Sequence, residues 1–527
     1  MIKDIIAEGL AAGWRHIDGA GLQKDQHLQC DVLIIGSGAG GGISAQVLAQ
    51  AGLTVIVVDE GPLKSSQDFK MQERQAYPDL YQESAARKTK DKAIGIFQGR
   101  CVGGSTTVNW TTSLRTPDLT LQHWQQRWGC KQLSSDALRP YFEQAEQLLG
   151  IEPWLSTNAN NGLLAKGCHA LGWSYQPVPR NVRQCWDLGY CGMGCPTNAK
   201  QSMLVTTIPA ALNAGARLLS RCRVETLDIS KQAVHGASLQ ALDQQQRPRK
   251  VKVKVQARHV VLAAGAIGSP AVLLRSQAPD PYLLMGKRTF LHPSVMSGAL
   301  FKQEVMSHQG APQSVYSDQF VWSDGAEGPC GYKLEVPPVH PILLATKTSG
   351  FGRFHSEMMQ QINHLQVTIA LLRDGFHEQS VGGEVQLRGD GSPVLDYPIS
   401  DFLWRGARRA LLSMAELQFA AGASKVYPLH EQSQLVSSWS AAKQLIEQLP
   451  MQALATRLAS AHVMGGCPMG GDEKQSLLNE QGDFRWLTNL SVIDGSIFPT
   501  SLGANPQLSI YAIALRNAQL LAKRLRV

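Results

Sequence analysis

Near the N-terminus, two short runs of β-branched and apolar residues flank a segment with helical composition. Residues 32–35 predict a buried parallel strand, and residues 54–58 predict a second strand of the same kind. Residues 43–51 between them predict a helix, which glycines separate from the first strand. The order strand, glycine turn, helix and strand predicts a βαβ unit of an α/β fold.

A second clear periodicity lies at the C-terminus. Residues 506–525 carry apolar side chains at helical spacing and therefore predict one long helix. Its predicted buried face consists of Leu508, Tyr511, Ala512, Leu515, Ala518 and Ala522.

Composition excludes several classes of protein. The chain has 527 residues, of which 43% are hydrophobic and 17% charged, so we expect a globular protein of several domains. Its net charge of +8 is scattered, and the basic cluster at 247–254 alternates with valine, which predicts an exposed strand face and no nucleic-acid partner. No apolar run reaches the 18 or more residues of a transmembrane helix, and no secretory core is present. We therefore expect a cytoplasmic location by default.

The glycines between the first strand and the helix carry a recognisable spacing. Gly36, Gly38 and Gly41 follow the pattern G-x-G-x-x-G, which permits a tight turn, close approach of a pyrophosphate and close packing of the helix. The start of that helix would direct free N–H groups at the phosphates. Asp59 ends the second strand, where a carboxylate can bind an adenosine ribose, and the neighbouring Glu60 is the alternative for that role.

Residues 99–117 form another segment with little side-chain bulk, which would let backbone N–H groups approach a flat or anionic ligand. Together with the first motif, this segment resembles the first signature of the glucose–methanol–choline (GMC) oxidoreductase family. Val108 stands where members with covalently attached flavin can carry His, so the resemblance implies non-covalent FAD. The matching residues are Gly99, Arg100, Gly103, Gly104, Ser105, Thr106 and Asn109.

The resemblance recurs in the second half of the chain. Residues 259–276 are similar to the family's second signature, with a strand, a turn at Gly265 and a helix expected to begin near Ser269-Pro270. The resemblance implies a cofactor contact at Ala264, beside that turn. Residues 460–470 and 490–516 resemble the active-site strands and the last flavin-binding helix. There the resemblance implies FAD contacts at Asp494, Gly495 and Pro506.

By the same resemblance, His462 and Asn505 occupy the positions of the family's catalytic pair. Alcohol oxidation removes a proton from oxygen and a hydride from carbon. An imidazole, with an ordinary pKa of about 6.5, can accept the proton, and an amide can orient the hydroxyl. His292 and His340 have no such motif around them, so we expect structural roles for both.

The cysteines leave one alternative open. Seven are dispersed, and each is expected to be a small buried hydrophobic residue. Cys185, Cys191 and Cys195 are clustered at a spacing that resembles iron–sulfur segments of some sugar dehydrogenases of the family. The same segment also resembles long-chain alcohol oxidases, for which structural thiols are the expectation. The dispersed residues are Cys30, Cys101, Cys130, Cys168, Cys222, Cys330 and Cys467.

These observations predict an α/β protein with a Rossmann-like FAD-binding domain and an α+β substrate domain that contains an antiparallel sheet. We expect an N-terminal extension at 1–29, the first part of the FAD domain at 30–290, the substrate domain at 291–455 and the last part of the FAD domain at 456–527. Within the first part, residues 62–95 are expected to form a lid-like excursion and residues 185–202 the cysteine-rich segment.

The favoured function is FAD-dependent oxidation of a primary alcohol, long-chain or otherwise hydrophobic, to the aldehyde. The apolar segment 334–359 and residues 108–117 resemble long-chain alcohol oxidases. The rival is a sugar or polyol dehydrogenase that passes electrons through an iron–sulfur centre, and a non-enzymatic flavin-fold subunit is a third hypothesis. The electron acceptor stays open between oxygen, a quinone and a cytochrome. A small partner subunit could carry the chain to the periplasm or to a membrane.

Overall fold

The computed structural model describes residues 2–526, and its strands form two large sheets and three two-stranded ones. The strands are β1 Arg15–Asp18, β2 Gln26–Ile35, β3 Val55–Val58, β4 Ile94–Ile96, β5 Ile151–Pro153, β6 Gln176–Pro177, β7 Pro179–Asn181, β8 Arg217–Ser220, β9 Cys222–Ser230, β10 Ala233–Leu242, β11 Pro248–Leu262, β12 Thr289–Leu291, β13 Ser294–Leu300, β14 Val315–Phe320, β15 Tyr332–Glu335, β16 Leu365–Leu372, β17 Glu384–Leu387, β18 Pro393–Asp396, β19 Lys425–Pro428, β20 Leu458–Ser460, β21 Val463–Gly465 and β22 Leu490–Val492.

Helices connect these strands and cover the sheets. They are α1 Ile5–Ala11, α2 Ala39–Gln50, α3 Glu73–Leu80, α4 Ser105–Val108, α5 Asp118–Trp128, α6 Ser135–Leu149, α7 Ala159–Leu171, α8 Thr207–Asn213, α9 Gly265–Arg275, α10 Pro341–Lys347, α11 Arg353–Gln360, α12 Asp401–Ala420, α13 Trp439–Gln448 and α14 Gln507–Leu525.

The first sheet has the order β1-β8-β3-β2-β11-β10-β9, and β22 also pairs with β11. Its neighbours from β1 to β11 are parallel, as the βαβ prediction requires, whereas β10 and β9 run antiparallel. Residues 32–35 of β2 have a strand on either side, which explains why all four are buried. Residues 26–31 pair mainly with β11, so their polar pattern concealed this half of the strand from sequence analysis.

Helix α2 begins at Ala39, earlier than the predicted start at residue 43. The glycines at its start lack the apolar spacing on which the prediction depended, and glycine has a low intrinsic helix propensity. Their small size allows close packing instead. A Cβ at Gly40 would lie 1.8 Å from the carbonyl oxygen of Ile493, and one at Gly41 would lie 1.9 Å from that of Gly36.

Helix α9 corrects a second predicted boundary. It begins at Gly265, so Pro270 lies inside the helix and not at its first position. Proline has no N–H and leaves the carbonyl of Ala266 without its helical donor. Gly466 packs directly there, since a Cβ on it would approach Pro270 Cγ at 3.1 Å and the Ala266 oxygen at 3.2 Å.

The second sheet has the order β4-β20-β13-β16-β15-β14-β6, with β19 also paired to β13. Its central pairs are antiparallel, which confirms the predicted sheet of the substrate domain. Its strands β4, β6 and β20 come from outside residues 291–455, and β1 of the predicted N-terminal extension belongs to the first sheet. Both large sheets therefore combine strands that lie far apart in the sequence.

Several predicted patterns of burial are present. The six apolar positions predicted for the C-terminal helix are all buried in α14, and the basic part of β11 alternates between exposed and buried residues. The seven dispersed cysteines are buried. Across residues 2–526, none of the helices combines the length and the apolar character needed to span a membrane.

Candidate active site and cofactor cleft

A cavity of about 1030 Å³ extends along the boundary between the two sheets. One end is lined by the glycine turn after β2, and the other end is lined by residues of β15, β16 and the segment that contains His462. The predicted cofactor and catalytic residues that line this cavity are Gly36, Gly38, Asp59, Glu60, Arg100, Gly104, Ser105, Asn109, Ala264, His462, Asp494, Gly495, Asn505 and Pro506.

The two glycine-rich segments meet at the first end of the cavity. Gly36 has a φ of +101°, a conformation that favours glycine, and a Cβ on Gly104 would lie 2.8 Å from Gly38 Cα. The backbone N–H of Gly103 donates to Ser37 Oγ at 2.9 Å and ties the two loops together. Gly103 and Gly41 thus support the turn by close packing and do not line the cavity themselves.

The two acidic candidates after β3 differ in how their oxygens are used. Asp59 accepts from Gly61 N–H through Oδ1 and from both the N–H and the hydroxyl of Ser37 through Oδ2. Burial raises its pKa to about 6 despite these hydrogen bonds. Glu60 accepts from Gln82 Nε2 at 2.6 Å and pairs with Arg100 at 3.4 Å. Burial opposes the charge of Glu60, but Arg100, the Gln82 hydrogen bond and the more weakly acting Arg87 and Arg223 together lower its pKa.

Asp494 joins the second signature to the C-terminal part of the chain. Its Oδ2 accepts from Gly265 N–H at 2.8 Å and from Ser269 Oγ at 2.6 Å, and its Oδ1 accepts from Ser496. Because both oxygens are used within the protein, Asp494 fixes the loops around Ala264 and Gly495 at the cavity wall. Burial raises the pKa of Asp494.

This end of the cavity fits an FAD molecule. The glycine turn brings bare backbone to the wall, and α2 starts there with no side chain capping its first N–H groups. Helix α14 also starts at the cavity without a side-chain cap. Such helix starts favour anionic groups and developing negative charge. Val108 lines the cavity and carries no nucleophile.

At the far end, the predicted catalytic side chains lie side by side. His462 follows β20, and Asn505 immediately precedes the turn into α14. Asn505 Nδ2 is 3.4 Å from His462 Nε2, and both residues line the cavity. Burial lowers the pKa of His462 to about 4, although the Glu335 carboxylate raises it and the Lys333 ammonium lowers it further. The imidazole is therefore neutral at neutral pH and able to accept a proton.

His292, for which sequence analysis expected a structural role, stands directly behind His462. The two Nδ1 atoms are 3.0 Å apart, and the Gly503 N–H donates to His292 Nε2 at 3.3 Å. His292 is almost completely buried, and burial holds its pKa well below the ordinary value. The ring of His292 therefore acts as a neutral partner that either donates to His462 or accepts from it.

Two arrangements of protons satisfy the contact between the two rings. In the first, His292 donates to His462, whose Nε2 carries its own proton, and the Gly503 N–H keeps its acceptor. In the second, His462 donates to His292, and His462 Nε2 is free to accept from Asn505 or from a substrate. The first arrangement loses the hydrogen bond from Asn505 to His462, and the second loses the one from Gly503 to His292. A single such hydrogen bond contributes about 0.5–1.5 kcal/mol. The two tautomers of His462 are thus close in free energy, and the hydrogen bonds that neighbouring donors make decide which one is more populated.

A buried ion pair, which sequence analysis did not identify, completes this end. Lys333 and Glu335 of β15 lie 2.8 Å apart, and both contact Asn505. Gln313 Nε2 donates to Glu335 Oε2 at 2.6 Å, while Thr112 Oγ1 donates to Gln313 Oε1 at 2.5 Å. The polar groups here form one connected network, which holds them in fixed positions.

Apolar side chains line the cavity beside this network. Ile369 and Leu371 project from the same face of β16, and Leu343 of α10 and Trp110 also contribute. The predicted substrate segment 334–359 therefore contributes only in part, since its Phe351 is 93% exposed. His340 lines the cavity as well, with its Nε2 3.3 Å from the Gly189 carbonyl oxygen.

The clustered cysteines have separate surroundings. Cys185 lies near Asp187, Cys191 near Arg180 and Cys195 near the backbone N–H of Lys200. Throughout residues 2–526, no three His, Cys, Asp or Glu side chains are arranged to hold a metal ion. The residues present therefore do not fit the iron–sulfur cluster that the spacing allowed.

The cysteine-rich segment instead supports the flavin-side loop. The buried Lys200 Nζ donates to the carbonyl oxygens of Thr107, Asn109 and Cys191 at 2.6–3.0 Å. Tyr81 donates from its hydroxyl to the Gly192 carbonyl at 2.6 Å. These contacts join the segment to the loop at 103–109, and Gly192 and Met193 line the cavity.

An apolar cavity wall, a histidine–asparagine pair and a glycine-built dinucleotide cleft together define an FAD-dependent oxidoreductase. Comparison with known proteins identifies the family of this oxidoreductase. Residues 77–294 and 379–514 match the two models of the GMC oxidoreductase family, and residues 31–71 match a model of an FAD-binding domain. The chain belongs to the GMC oxidoreductase family and is an FAD-dependent alcohol oxidoreductase.

Individual relatives agree with this assignment. A GMC-type oxidoreductase from Sinorhizobium fredii is 31% identical over 514 residues, which cover 95% of this chain and 96% of that protein. The long-chain-alcohol oxidases FAO4A and FAO1 of Arabidopsis thaliana are 26% and 27% identical, over 92% and 94% of this chain and 68% of each oxidase.

Solved structures agree with the fold. Pyridoxine 4-oxidase from Mesorbium loti superimposes with a TM-score of 0.68 at 17% identity, over 93% of this chain and 99% of that one. A formate oxidase variant from Aspergillus oryzae gives 0.72 at 14% identity, over 96% of this chain and 100% of that one.

Proposed function

We propose that this protein oxidises a primary alcohol with a long or otherwise hydrophobic chain to the aldehyde. The observation that carries the proposal is the single cavity that joins the glycine-built cofactor end to His462, Asn505 and a wall of apolar side chains. The similarity to long-chain-alcohol oxidases supports the same substrate class.

The proposed reaction divides the two hydrogens of the alcohol between protein and cofactor. His462 Nε2 takes the hydroxyl proton as the O–H bond breaks, and Asn505 Nδ2 donates to the substrate oxygen and keeps it in place. FAD, when bound, supplies the acceptor for the hydride that leaves the carbon. The carbonyl forms as the C–H bond breaks, so the products are the aldehyde, a proton on His462 Nε2 and a hydride that FAD would accept together with its two electrons.

The apolar wall supports a hydrophobic substrate. Ile369 and Leu371 pair with Glu335 and Lys333 across the sheet and so provide aliphatic surface on the catalytic side of the cavity. Trp110 and Leu343 add apolar surface to the same cavity. Each substrate CH₂ that is transferred from water to such a surface contributes about 0.8 kcal/mol. We expect the second-order rate constant to rise with chain length until the pocket is filled.

The polar network near the catalytic pair does not favour the rival sugar or polyol substrate. A polyol needs several free donors and acceptors that converge on its hydroxyls. Gln313 and Glu335 line the cavity, but the Gln313 side chain is already bonded through both its oxygen and its nitrogen. The iron–sulfur relay of that rival also lacks a fitting ligand set among the described residues.

Anaerobic reduction of the purified yellow protein tests the proposal. Stopped-flow absorbance would follow flavin bleaching with straight-chain primary alcohols of increasing length and with several sugars. We expect bleaching by alcohols, with a second-order rate constant of flavin reduction that rises about fourfold for each added CH₂ until the pocket is filled, and none by sugars. Faster reduction by a sugar than by any alkanol would reject the substrate class.

Two further measurements on the same protein test the mode of FAD binding and the electron acceptor. We propose that FAD is held non-covalently, so acid precipitation should release all of the yellow colour into solution. Reoxidation of the bleached protein with oxygen, a quinone or a cytochrome would then identify the electron acceptor.

A further inference from the structure

Lys333 and Glu335 form an ion pair that the proposed reaction does not use, and Glu335 lines the cavity. Their side chains are only 4% and 1% exposed, and Lys333 Nζ is 2.8 Å from Glu335 Oε1. The two residues are separated by one position on β15, so they project from the same face of that strand. A buried ion pair contributes little stability by itself, so its hydrogen bonds are the best guide to its role.

Both charges contact the amide of Asn505. Lys333 Nζ donates to Asn505 Oδ1, and Asn505 Nδ2 donates to Glu335 Oε2 at 3.4 Å. An ammonium group can only donate and a carboxylate can only accept. Turning the amide over would set its NH₂ group against the ammonium and its oxygen against the carboxylate. The ion pair therefore permits one orientation of the amide and opposes the other.

That orientation has a consequence for His462. The same Asn505 Nδ2 lies 3.4 Å from His462 Nε2. Because an amide nitrogen only donates, this contact is favourable only when Nε2 carries a lone pair. The Gly503 N–H acts through His292 in the opposite sense, since it favours a proton on His462 Nε2. The orientation of Asn505 can thus decide which tautomer of His462 predominates.

We propose that the Lys333–Glu335 pair is a positioning device that holds the Asn505 amide with Nδ2 toward His462, and thereby favours the tautomer of His462 whose Nε2 can accept the substrate proton. The inference rests on the proposed role of His462 as the proton acceptor. Gln313 steadies the carboxylate from its other side at 2.6 Å, and the Tyr316 ring centroid lies 5.6 Å from the ammonium nitrogen. Lys333 then acts on catalysis through Asn505, without contact with the substrate.

Replacing Lys333→Met removes the donor and keeps most of the side-chain volume. The amide can then turn over and present Oδ1 to His462, which favours a proton on Nε2. We expect kcat to fall roughly tenfold, because the turned amide and the Gly503 N–H then both favour a proton on His462 Nε2, with a much smaller change in KM and with FAD still bound. Lys333→Arg retains a group that only donates and should recover part of the loss. Full kcat in Lys333→Met would overturn the inference.

A double-mutant cycle tests whether Lys333 acts through Asn505. In an Asn505→Ala background there is no amide to orient, so Lys333→Met should cost less than about threefold in the rate of anaerobic flavin reduction. An equal cost in both backgrounds would show that Lys333 acts independently of Asn505, and would overturn the inference.

A variant in which the two charges are exchanged separates loss of positioning from loss of folding. Lys333→Glu combined with Glu335→Lys keeps an ion pair but reverses the orientation that it imposes on Asn505. We expect this variant to be folded and yellow, with a rate of flavin reduction as low as that of Lys333→Met. A rate like that of the wild type would contradict the proposed positioning.

The tautomer can also be observed without turnover. In holoenzyme labelled with ¹⁵N-histidine, the His462 signals are identified by their loss in His462→Asn. We expect the tautomer with the proton on Nδ1 to be more populated in the wild type than in Lys333→Met, and equal populations would reject the inference. A wild type whose flavin no alcohol reduces would end the proposed function alone, because the tautomer comparison stands apart from activity.

Discussion

The two ends of the cavity are built in different ways. The cofactor end depends on backbone, since the turns at Gly36 and Gly104 bring main chain to the wall without side chains. The catalytic end depends on side chains that come from distant parts of the chain. His292 lies 170 residues before His462 and Lys333 lies 172 residues before Asn505.

This difference predicts how each end should respond to mutation. At the cofactor end, a single added carbon meets backbone that cannot move aside without disturbing the fold. At the catalytic end, side chains can be removed while the main chain and the flavin cleft stay in place. Substitutions at the two ends should therefore separate loss of cofactor from loss of turnover.

The largest effect is expected for Gly40→Ala. The new Cβ would lie 1.8 Å from the carbonyl oxygen of Ile493, well inside contact distance, where α2 packs against the loop that leads to Asp494. We expect a protein that is colourless or fails to fold. The measurements are flavin absorbance per mole of protein and the thermal unfolding temperature.

Gly21→Ala is the matched control for this substitution. A Cβ at that position meets nothing within 4 Å, so flavin content and unfolding temperature should match the wild type. A yellow and stable Gly40→Ala protein would refute the claim that close backbone packing builds the cofactor end.

The next largest effect is expected for His462→Ala, at the other end. Loss of a general base typically lowers turnover by about 10²–10⁴-fold, and the cofactor cleft does not use this ring. The flavin should stay bound while its anaerobic reduction by alcohol slows by that factor. His235→Ala, an exposed histidine on β10, is the control and should reduce at the wild-type rate. A His462→Ala protein that retains normal reduction would remove His462 from the mechanism.

The same contrast explains what sequence analysis could predict. The cofactor end is encoded in contiguous motifs, so strands, glycine turn and acidic candidates were all identified, although the glycines hid the true start of α2. Helix α14 was predictable because its buried face recurs at regular spacing. Local patterns of this kind need no knowledge of long-range contacts.

The catalytic end was accessible only in part. His462 and Asn505 were identified because the segments around them resemble a known family, whereas Lys333 and Glu335 alternate on a strand as exposed charges commonly do. Their burial follows from the pairing of β15 between β14 and β16, which no local pattern reveals. His292 likewise gains its role only through a neighbour that is remote in sequence.

A smaller effect is expected for His292→Phe. The phenyl ring fills similar space but can neither accept from Gly503 nor bond to His462. We expect kcat to fall about tenfold, because His462 Nδ1–H loses its acceptor in the tautomer that takes the substrate proton. The free energy of unfolding should fall by about 1–3 kcal/mol, since the partly buried Gly503 N–H also loses its acceptor. Stopped-flow reduction and urea denaturation measure the two effects.

The control for His292→Phe is the same change in the His462→Ala background. If His292 acts on turnover only through His462, it should have no further effect on the rate there, while the loss of stability should persist. An equal rate penalty in both backgrounds would indicate a separate function for His292.

The smallest expected effect concerns the apolar wall, where Leu371→Ala should change selectivity more than rate. Its side chain faces the cavity from β16, so truncation removes surface that an alkyl chain would contact. We expect kcat/KM for decanol to fall about threefold to tenfold and that for butanol to fall less than twofold, at about 0.8 kcal/mol for each CH₂ that loses its contact. The ratio of the two constants, measured on one preparation, is insensitive to the fraction of folded enzyme.

Leu365→Ala on the same strand is the control. It removes a side chain that is also buried but does not line the cavity, so it should leave this ratio unchanged. A ratio that shifts equally in both variants would mean that general loosening of the sheet, and not contact with the alkyl chain, sets the preference for long alcohols.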